Sequence, residues 1–528
     1  MSGRSVGGMS SPTAAALIGN SRRDALVAQL SCTTTDTATV IAPFSGQPLH
    51  ELPQSSIQDV QDAAATARLA QEAWKAAGFA HRRRVLLRAH DLLLERREEL
   101  LDLLQTESGK TRGQAFEEIF QAASVTRYYA LSARRVLATK RRRAGIPLLM
   151  TTRVSYSPKQ LVGVVTPWNY PIALGTMDAV PALAAGSAVI QKIDNQGSLA
   201  MLATREAYLD AGVPAAVWPI VAGPRDTVGN AIIDSCDYLC FTGSTPTGTR
   251  VGERAAGRLI GASLELGGKN PLIVLGDANP AQAAEDAVYA CFASMGQLCV
   301  SIERIYVHES IAEEFTREFA ARVSALNQTA ALDYSGDVGS LTSAAQLERV
   351  QAHVDDAIAH GATVLTGGVA RPEIGPYFFA PTVLTDVTAA MQCFANETFG
   401  PVVAIATVAT DTEAIDRAND TEFGLNASIF SGSVAHARRL ADRLHAGSVN
   451  INEGYRGSFS SVDAPMGGMK KSGLGRRNGP EGILRFAQAR TVSQSNGILQ
   501  LPRTGAEFAV MAGLMVTLLS VLKALRRR

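Results

Sequence analysis

Residues 160–191 read QLVGVVTPWNYPIALGTMDAVPALAAGSAVIQ. The run Leu161–Thr166 is apolar, too short for a buried helix, and stops at Pro167. A second short run, Ala188–Gln191, follows a helix-like segment, and others recur at Val217–Val221, Tyr238–Phe241 and Asn270–Leu275. Several of them end in turns containing Gly or Pro. Short apolar runs alternating with helical segments predict an α/β fold, with parallel strands joined by crossover helices.

Outward from this stretch, the alternation resumes at Arg304–Val307 and runs to Val449–Ile451, which predicts a second α/β domain. Towards the N-terminus, Ser56 and Asp59 have capping-box spacing ahead of an Ala-rich helix reaching Trp74. Another helix is expected over Arg82–Glu107, where Val85, Leu86, Leu92, Leu93, Leu94 and Leu100 lie among charges. Residues 1–36, rich in Ser, Thr, Gly and Ala, read as a mobile extension, with structure starting at Ala38–Val40. No internal repeat of short fixed period is present.

A length of 528 residues suggests two or three domains. The net charge of +1 gives no electrostatic reason to expect nucleic acid as a partner. Six cysteines (Cys32, Cys236, Cys240, Cys291, Cys299, Cys393) form neither a disulfide framework nor a zinc-type pairing, and no metal site is expected. A reducing, cytoplasmic setting fits this usage. Residues 1–20 lack a continuous apolar stretch and do not read as a signal peptide.

Several segments carry residue types suited to chemistry. Cys299 follows Gly296-Gln297-Leu298, where Gly296 would let a substrate or cofactor approach the backbone. Taken alone, such a cysteine reads as a buried structural thiol, as Cys236, Cys240, Cys291 and Cys393 do. Thr166-Pro167-Trp168-Asn169-Tyr170-Pro171 lies just after an apolar strand, where α/β ligand sites form, and Asn169 offers an amide donor or is simply a turn asparagine. Glu265, between two leucines and before Gly267-Gly268, is either a desolvated general base or a glutamate at a strand end. Asn396-Glu397-Thr398-Phe399-Gly400-Pro401 pairs an acidic acceptor with an aromatic that could flank a flat ring. Thr242-Gly243-Ser244-Thr245-Pro246-Thr247-Gly248 follows a strand and suits phosphates, although it lacks the full dinucleotide fingerprint. Gly109-Lys110-Thr111 looks like the end of a P-loop, but Leu104 stands where its first glycine is required.

As a set and in this order, Pro-Trp-Asn, Glu-Leu-Gly-Gly, Gly-Gln-x-Cys and Glu-x-Phe-Gly-Pro resemble the aldehyde dehydrogenase superfamily over roughly residues 36 to 500. Gln297–Arg304 and Ala464–Met469 are similar to its bacterial succinate-semialdehyde dehydrogenase branch. The resemblance implies that Cys299 is the nucleophile, Asn169 an oxyanion donor and Glu265 the base that activates water. It also implies that Lys192 and Asn195 meet the adenosine ribose and Gly243, Ser244 and Gly248 the pyrophosphate. Trp168, Glu397 and Phe399 would then face the nicotinamide side. Asn195 stands where NAD-preferring relatives carry Glu, which removes repulsion against a 2′-phosphate and points to NADP, with NAD also accepted. Met177 stands where some succinate-semialdehyde enzymes carry an arginine for the distal carboxylate; Arg456 and Ser460 are the candidates to compensate.

The expected division is an extension at 1–36, a dinucleotide-binding domain at 37–143 and 160–268, and a catalytic domain at 269–484. A bridging element at 144–159 and 485–497 would build a homodimer or homotetramer. In the 505–528 tail, Phe508–Leu522 carries no charge and precedes Lys523-Ala524-Leu525-Arg526-Arg527-Arg528. A bilayer span needs about 20 apolar residues. The tail is therefore expected either to contact an anionic membrane surface or to pack on a neighbouring subunit. The expected reaction is oxidation of succinate semialdehyde to succinate through a cysteine thioester. The alternatives are a dehydrogenase of longer apolar aldehydes at a membrane surface, a non-redox cysteine hydrolase, and a non-catalytic relative.

Overall fold

The computed structural model describes residues 18–144, 150–497 and 502–526. The chain forms two units, Met1–Val136 with Pro158–Ala487, and Leu137–Ser157 with Gln488–Arg528.

Among the described residues, the first unit holds a six-stranded sheet in the order Gly473–Leu474, Gly261–Glu265, Tyr238–Thr242, Leu161–Val165, Ala188–Ile193, Ile220–Ala222. All neighbours are parallel except Gly473–Leu474, which closes one edge antiparallel to Gly261–Glu265. The strand runs are apolar because helices cover them; the crossover helix Pro171–Ala185 is buried at every position. Pro171 starts that helix, and Gly186, left-handed at φ 102°, ends it. From Leu161–Val165 the chain builds first to one side, through 188–193 and 220–222, and then returns to add 238–242 on the other. The order therefore reverses between 161–165 and 238–242, and α/β ligand crevices open outside the carboxyl ends of strands at such a reversal.

A seven-stranded sheet follows in the order Thr363–Thr366, Thr382–Thr385, Val402–Val408, Ile302–His308, Asn270–Val274, Asn426–Phe430, Ser448–Ile451. Only the edge strand Thr363–Thr366 pairs antiparallel. Asn270–Val274, one of the runs beginning at 161, pairs only within this second sheet. Its core includes Phe292, Phe315 and Phe319, whose rings stack with centroids 5.6–6.1 Å apart.

Four local expectations change. Residues 20–36 are not a loose extension: Asn20–Val27 is helical, Leu26 and Leu30 are buried, and the Arg22 guanidinium donates to Glu99 and Glu206. The Asp59 carboxylate accepts from the Thr33 N–H and hydroxyl besides completing its capping box with Ser56. The rest of the expected extension, residues 1–17, lies outside the described residues. The Arg82–Glu107 helix breaks at Arg96 (φ −95°, ψ 11°) into Gly78–Glu95 and Arg97–Ser108. Val217–Val221 divides into a 3₁₀ turn, Ala215–Val217, and the strand Ile220–Ala222, because Pro219 between them has no N–H.

In the second unit, Ala487–Ser495, Met150–Pro158 and Lys140–Arg142 form a three-stranded sheet, with Lys140 opposite Val154. The helix Gly505–Ala524 follows. Thr504 caps it by accepting from the Glu507 N–H, and the Glu507 carboxylate accepts in return from the Thr504 N–H. The uncharged count of fifteen understated this element: the helix has 20 residues, so it is about 30 Å long. None of its residues is buried.

Candidate active site

A cavity of about 180 Å³ opens where the strand order reverses. Its walls include Trp168 and Asn169 after the 161–165 strand, Gly243 and Ser244 after 238–242, and Glu265 at the end of 261–265. Cys299, Glu397 and Phe399 close it from segments that precede strands of the second sheet. The cavity thus lies at the carboxyl ends of one sheet and the amino ends of the other.

The approach to Cys299 is unusual backbone. Ser294 (φ 50°), Met295 (φ 58°) and Gly296 (φ 67°) are successive left-handed residues, a conformation that persists only where neighbours enforce it. A Cβ on Gly296 would lie 2.2 Å from the Gly400 carbonyl oxygen. The glycine therefore admits another stretch of backbone here, rather than the ligand that its sequence suggested. Gln297 fastens the turn: its N–H and side-chain amide donate to the Ser294 carbonyl, and its Oε1 accepts from the Thr342 N–H at 3.0 Å. The Asn169 amide donates to the Gln297 carbonyl at 3.0 Å, and the Asn270 amide donates to the Cys299 carbonyl at 2.8 Å.

The Cys299 thiol is held towards its neutral form. Burial, with the charges of Glu397 and Glu265, pushes it up to about 12. Burial also pushes Glu265 up to about 7, against the pull of Arg477, and its Oε1 has no hydrogen-bond partner among the described residues. A carboxyl poised near neutrality beside a thiol and a cavity suits proton transfer. Arg477 sits behind it, donating to both oxygens of Asp178 and to the Thr242 hydroxyl.

Lys110, set aside as a phosphate-binding residue, turns inward. It pairs with Glu118 and donates to the Asn169 carbonyl at 2.7 Å. The Glu118 carboxylate also accepts from the N–H groups of Ile172 (2.9 Å) and Ala173 (3.1 Å), in the first turn of the helix after Asn169. Opposite, Glu303 pairs with Lys269 and accepts from the N–H groups of Thr398 and Phe399 at 2.9 Å. Glu397 accepts from the Gly268 N–H at 2.8 Å, and burial together with Glu303 pushes its carboxyl up to about 7. A Cβ on Gly267 would sit 2.6 Å from the Glu397 carboxylate. The rings of Trp168 and Phe399 meet edge to face at 5.6 Å and both line the cavity.

The aldehyde dehydrogenase family model matches residues 31–492. The chain belongs to the aldehyde dehydrogenase family. A Mycobacterium tuberculosis protein with the provisional name succinate-semialdehyde dehydrogenase (NADP+) 2 is 50% identical over 457 residues, covering 87% of this chain and 88% of the relative. A Mycolicibacterium smegmatis protein provisionally named succinate-semialdehyde dehydrogenase (NADP+) is 48% identical, covering 86% and 87%. Among solved structures, an Escherichia coli NADP-dependent enzyme is similar at TM-score 0.84 and 33% identity, covering 87% of this chain and 95% of its own. Betaine aldehyde dehydrogenase from Staphylococcus aureus, solved with NAD+, is similar at TM-score 0.85 and 28% identity, covering 90% and 97%.

In this aldehyde dehydrogenase the cavity gathers Trp168, Asn169, Gly243, Ser244, Glu265, Cys299, Glu397 and Phe399, whereas six other candidates stand off its wall. Lys192 and Asn195 lie at and just beyond the end of the 188–193 strand, and the Asn195 amide oxygen accepts from Gln54 at 3.3 Å. Gly248 makes room for Leu266, whose Cδ2 would lie 2.2 Å from a Cβ there, so it is a packing glycine. Met177 is fully buried inside the 171–185 helix. Arg456 pairs with Glu453 at 3.0 Å and stacks over Tyr289, and the exposed Ser460 donates to the Arg456 carbonyl. Gln346 and Arg349, which line the cavity from the helix Ala344–Ala359, escaped the sequence reading. They donate to the carbonyls of Phe399 and Glu397, contacts between residues too far apart in sequence to leave a local pattern.

The residues fit a nicotinamide dinucleotide. Ser244 precedes the helix Thr245–Gly257 and makes no side-chain bond to its backbone, leaving first-turn amides for a phosphate. Trp168 and Phe399 give the cavity aromatic surface for a flat ring, and the Glu397 carboxylate gives it an acceptor for ribose hydroxyls.

Proposed function

We propose that this enzyme oxidises succinate semialdehyde to succinate with NADP, and accepts NAD less well. The observation that carries the reading is the meeting of Cys299, Glu265 and Asn169 on one cavity, in a chain half identical to relatives bearing that substrate and cofactor in their names.

In this reading Glu265 takes the thiol proton as the Cys299 sulfur bonds to the aldehyde carbon. The resulting oxyanion accepts from the second Asn169 amide hydrogen and the Cys299 N–H; one such donor contributes about 3–4 kcal/mol. Bound nicotinamide supplies a hydride acceptor. The carbonyl re-forms as the hydride leaves, giving a thioester on Cys299. Glu265 gives the thiol proton up to solvent, then takes a proton from water as it attacks the thioester; the carbon–sulfur bond breaks, Glu265 returns that proton to the sulfur, and the acid departs.

Support for NADP comes from Asn195, which is uncharged, and from two cations nearby. Burial holds the Lys192 ammonium below its usual range, and the positive charge of Arg225 adds to this against Asp194. Arg225 also donates to Thr247, in the first turn of the 245–257 helix, at 3.3 Å. Two cations close to each other near the end of the 188–193 strand suit a 2′-phosphate.

Substrate choice has a second reading. Met177 offers no cation to a distal carboxylate, and Arg456 is engaged with Glu453, which favours longer apolar aldehydes delivered at a membrane surface. The test is a panel of succinate semialdehyde and longer-chain aldehydes, read by absorbance of the reduced cofactor, with Cys299→Ala as control. Higher kcat/KM for succinate semialdehyde supports the first substrate, and preference for long chains selects the second. Activity surviving in Cys299→Ala overturns the thiol mechanism.

The exposed edge strand 487–495 of the second unit favours a homodimer or homotetramer built through its sheet, since an uncovered edge recruits partners. A division into dinucleotide-binding residues (37–143, 160–268), catalytic residues (269–484) and a bridging element (144–159, 485–497) belongs to this reading. A catalytic body in the cytoplasm completes it.

A further inference from the structure

The helix Gly505–Ala524 lies wholly beyond the family match, which ends at 492. It has 20 residues, an 18-residue stretch of mean hydropathy 1.9 and no buried side chain. Phe508, Val510, Leu514, Val516 and Leu519 are all exposed, and no charge interrupts 508–522, so apolar side chains surround more than four turns except along a narrow stripe of Gly513, Thr517 and Ser520. A length of about 30 Å equals the hydrocarbon thickness of a bilayer.

Its polar groups are already satisfied from within. The hydroxyls of Thr517 and Ser520 donate back to the carbonyls of Gly513 and Val516 at 2.9 Å. At the amino end, Thr504 and Glu507 cap each other's N–H groups. This is what a helix needs where no water can serve its donors and acceptors. Charge gathers at the other end, with Lys523 and Arg526 in the structure and Arg527 and Arg528 next in sequence.

We propose that Gly505–Ala524 is a bilayer-embedded anchor, sunk in lipid hydrocarbon with the basic end starting at Lys523 among anionic headgroups. A helix lying on a membrane surface needs a broad, charged face, which this one lacks: its only polar side chains between 508 and 522, Thr517 and Ser520, bond back to its own backbone. A neighbouring copy would cover one stripe of it and leave the other sides in water, whereas lipid covers all of them. The inference does not depend on which aldehyde the enzyme takes.

Cells expressing the full chain are fractionated, and the membranes are washed with high salt, then alkaline carbonate, then detergent. The full chain is expected to pellet with membranes, to resist salt and carbonate, and to be released by detergent. Deleting residues 502–528, or the pair Leu514→Arg and Leu518→Arg, should lower the membrane-bound share about tenfold or more. Both variants should keep the kcat/KM of the full chain, which shows that the catalytic body is folded. Release by salt or carbonate would mean surface adsorption and overturn the proposal. A soluble full chain whose oligomer shrinks on deletion would overturn it in favour of a second copy as the occupant.

Discussion

The Lys110 ammonium donates to the main-chain carbonyl of Asn169 at 2.7 Å from a position closed to solvent, with Glu118 as its counter-ion. The loop bearing the amide beside Cys299 is therefore clamped through its backbone, while the amide, with one N–H given to the Gln297 carbonyl, keeps the other for chemistry. Lys110→Met would leave Glu118 buried and unpaired, costing about 3–5 kcal/mol of stability. Adding Glu118→Gln should restore much of the urea midpoint but not kcat, because the carbonyl clamp is still missing. Equal recovery of both would make the pair purely structural.

The acid limb of the pH–rate profile should reflect Glu265. With its carboxyl near 7, kcat/KM is expected to rise through neutrality as the base form appears, and Glu265→Gln should remove that limb. The stability effect has the opposite sign. A carboxyl raised on folding contributes stability that is full below its unfolded value and lost as pH climbs through the folded one. Glu265 and Glu397 should thus each weaken the fold between about pH 4.5 and 7, by about 3 kcal/mol if fully expressed. Urea midpoints at pH 5 and pH 8, compared between wild type and Glu265→Gln, measure it.

Arg225→Ala should raise KM for NADP about tenfold or more and leave KM for NAD nearly unchanged, the loss of one charge-assisted contact. Parallel shifts for both cofactors would place Arg225 outside 2′-phosphate recognition.

Gly296→Ala meets two obstacles, a left-handed φ of 67° and the Gly400 carbonyl 2.2 Å from the new Cβ. A loss of roughly 2–4 kcal/mol in thermal or urea unfolding is expected, together with a fall in kcat as the Cys299 turn is displaced. Wild-type stability in this variant would mean that the turn relaxes freely.

The strands at 161–165, 188–193 and 238–242 are legible from sequence because burial on both faces gives each a short apolar run, although Gln191-Lys192 and Thr242 break the last two towards their ends. The pairing partners of Asn270–Val274 are not, since a short apolar run carries no mark of the sheet it joins. Lys110 misleads for a related reason: beside Gly109 it resembles a phosphate ligand, and only tertiary contact turns it towards Asn169. Residues 20–30 read as loose because their composition is polar, yet Leu26, Leu30 and the Arg22 ion pairs suffice to hold them. Counting uncharged residues also understated the 505–524 helix, whose ends are set by capping and tolerate Glu507 and Lys523.

The amide of Asn169 comes from the carboxyl end of a strand in the six-stranded sheet, and the sulfur of Cys299 from the turn before a strand in the seven-stranded one. Neither half of the body owns the reaction centre. A fragment that folded around either sheet alone would be chemically mute, and a loop graft carrying the thiol to another scaffold would leave its oxyanion donor behind. The activity is a property of the seam, so anything that loosens the two sheets from each other will silence the enzyme before it unfolds either of them.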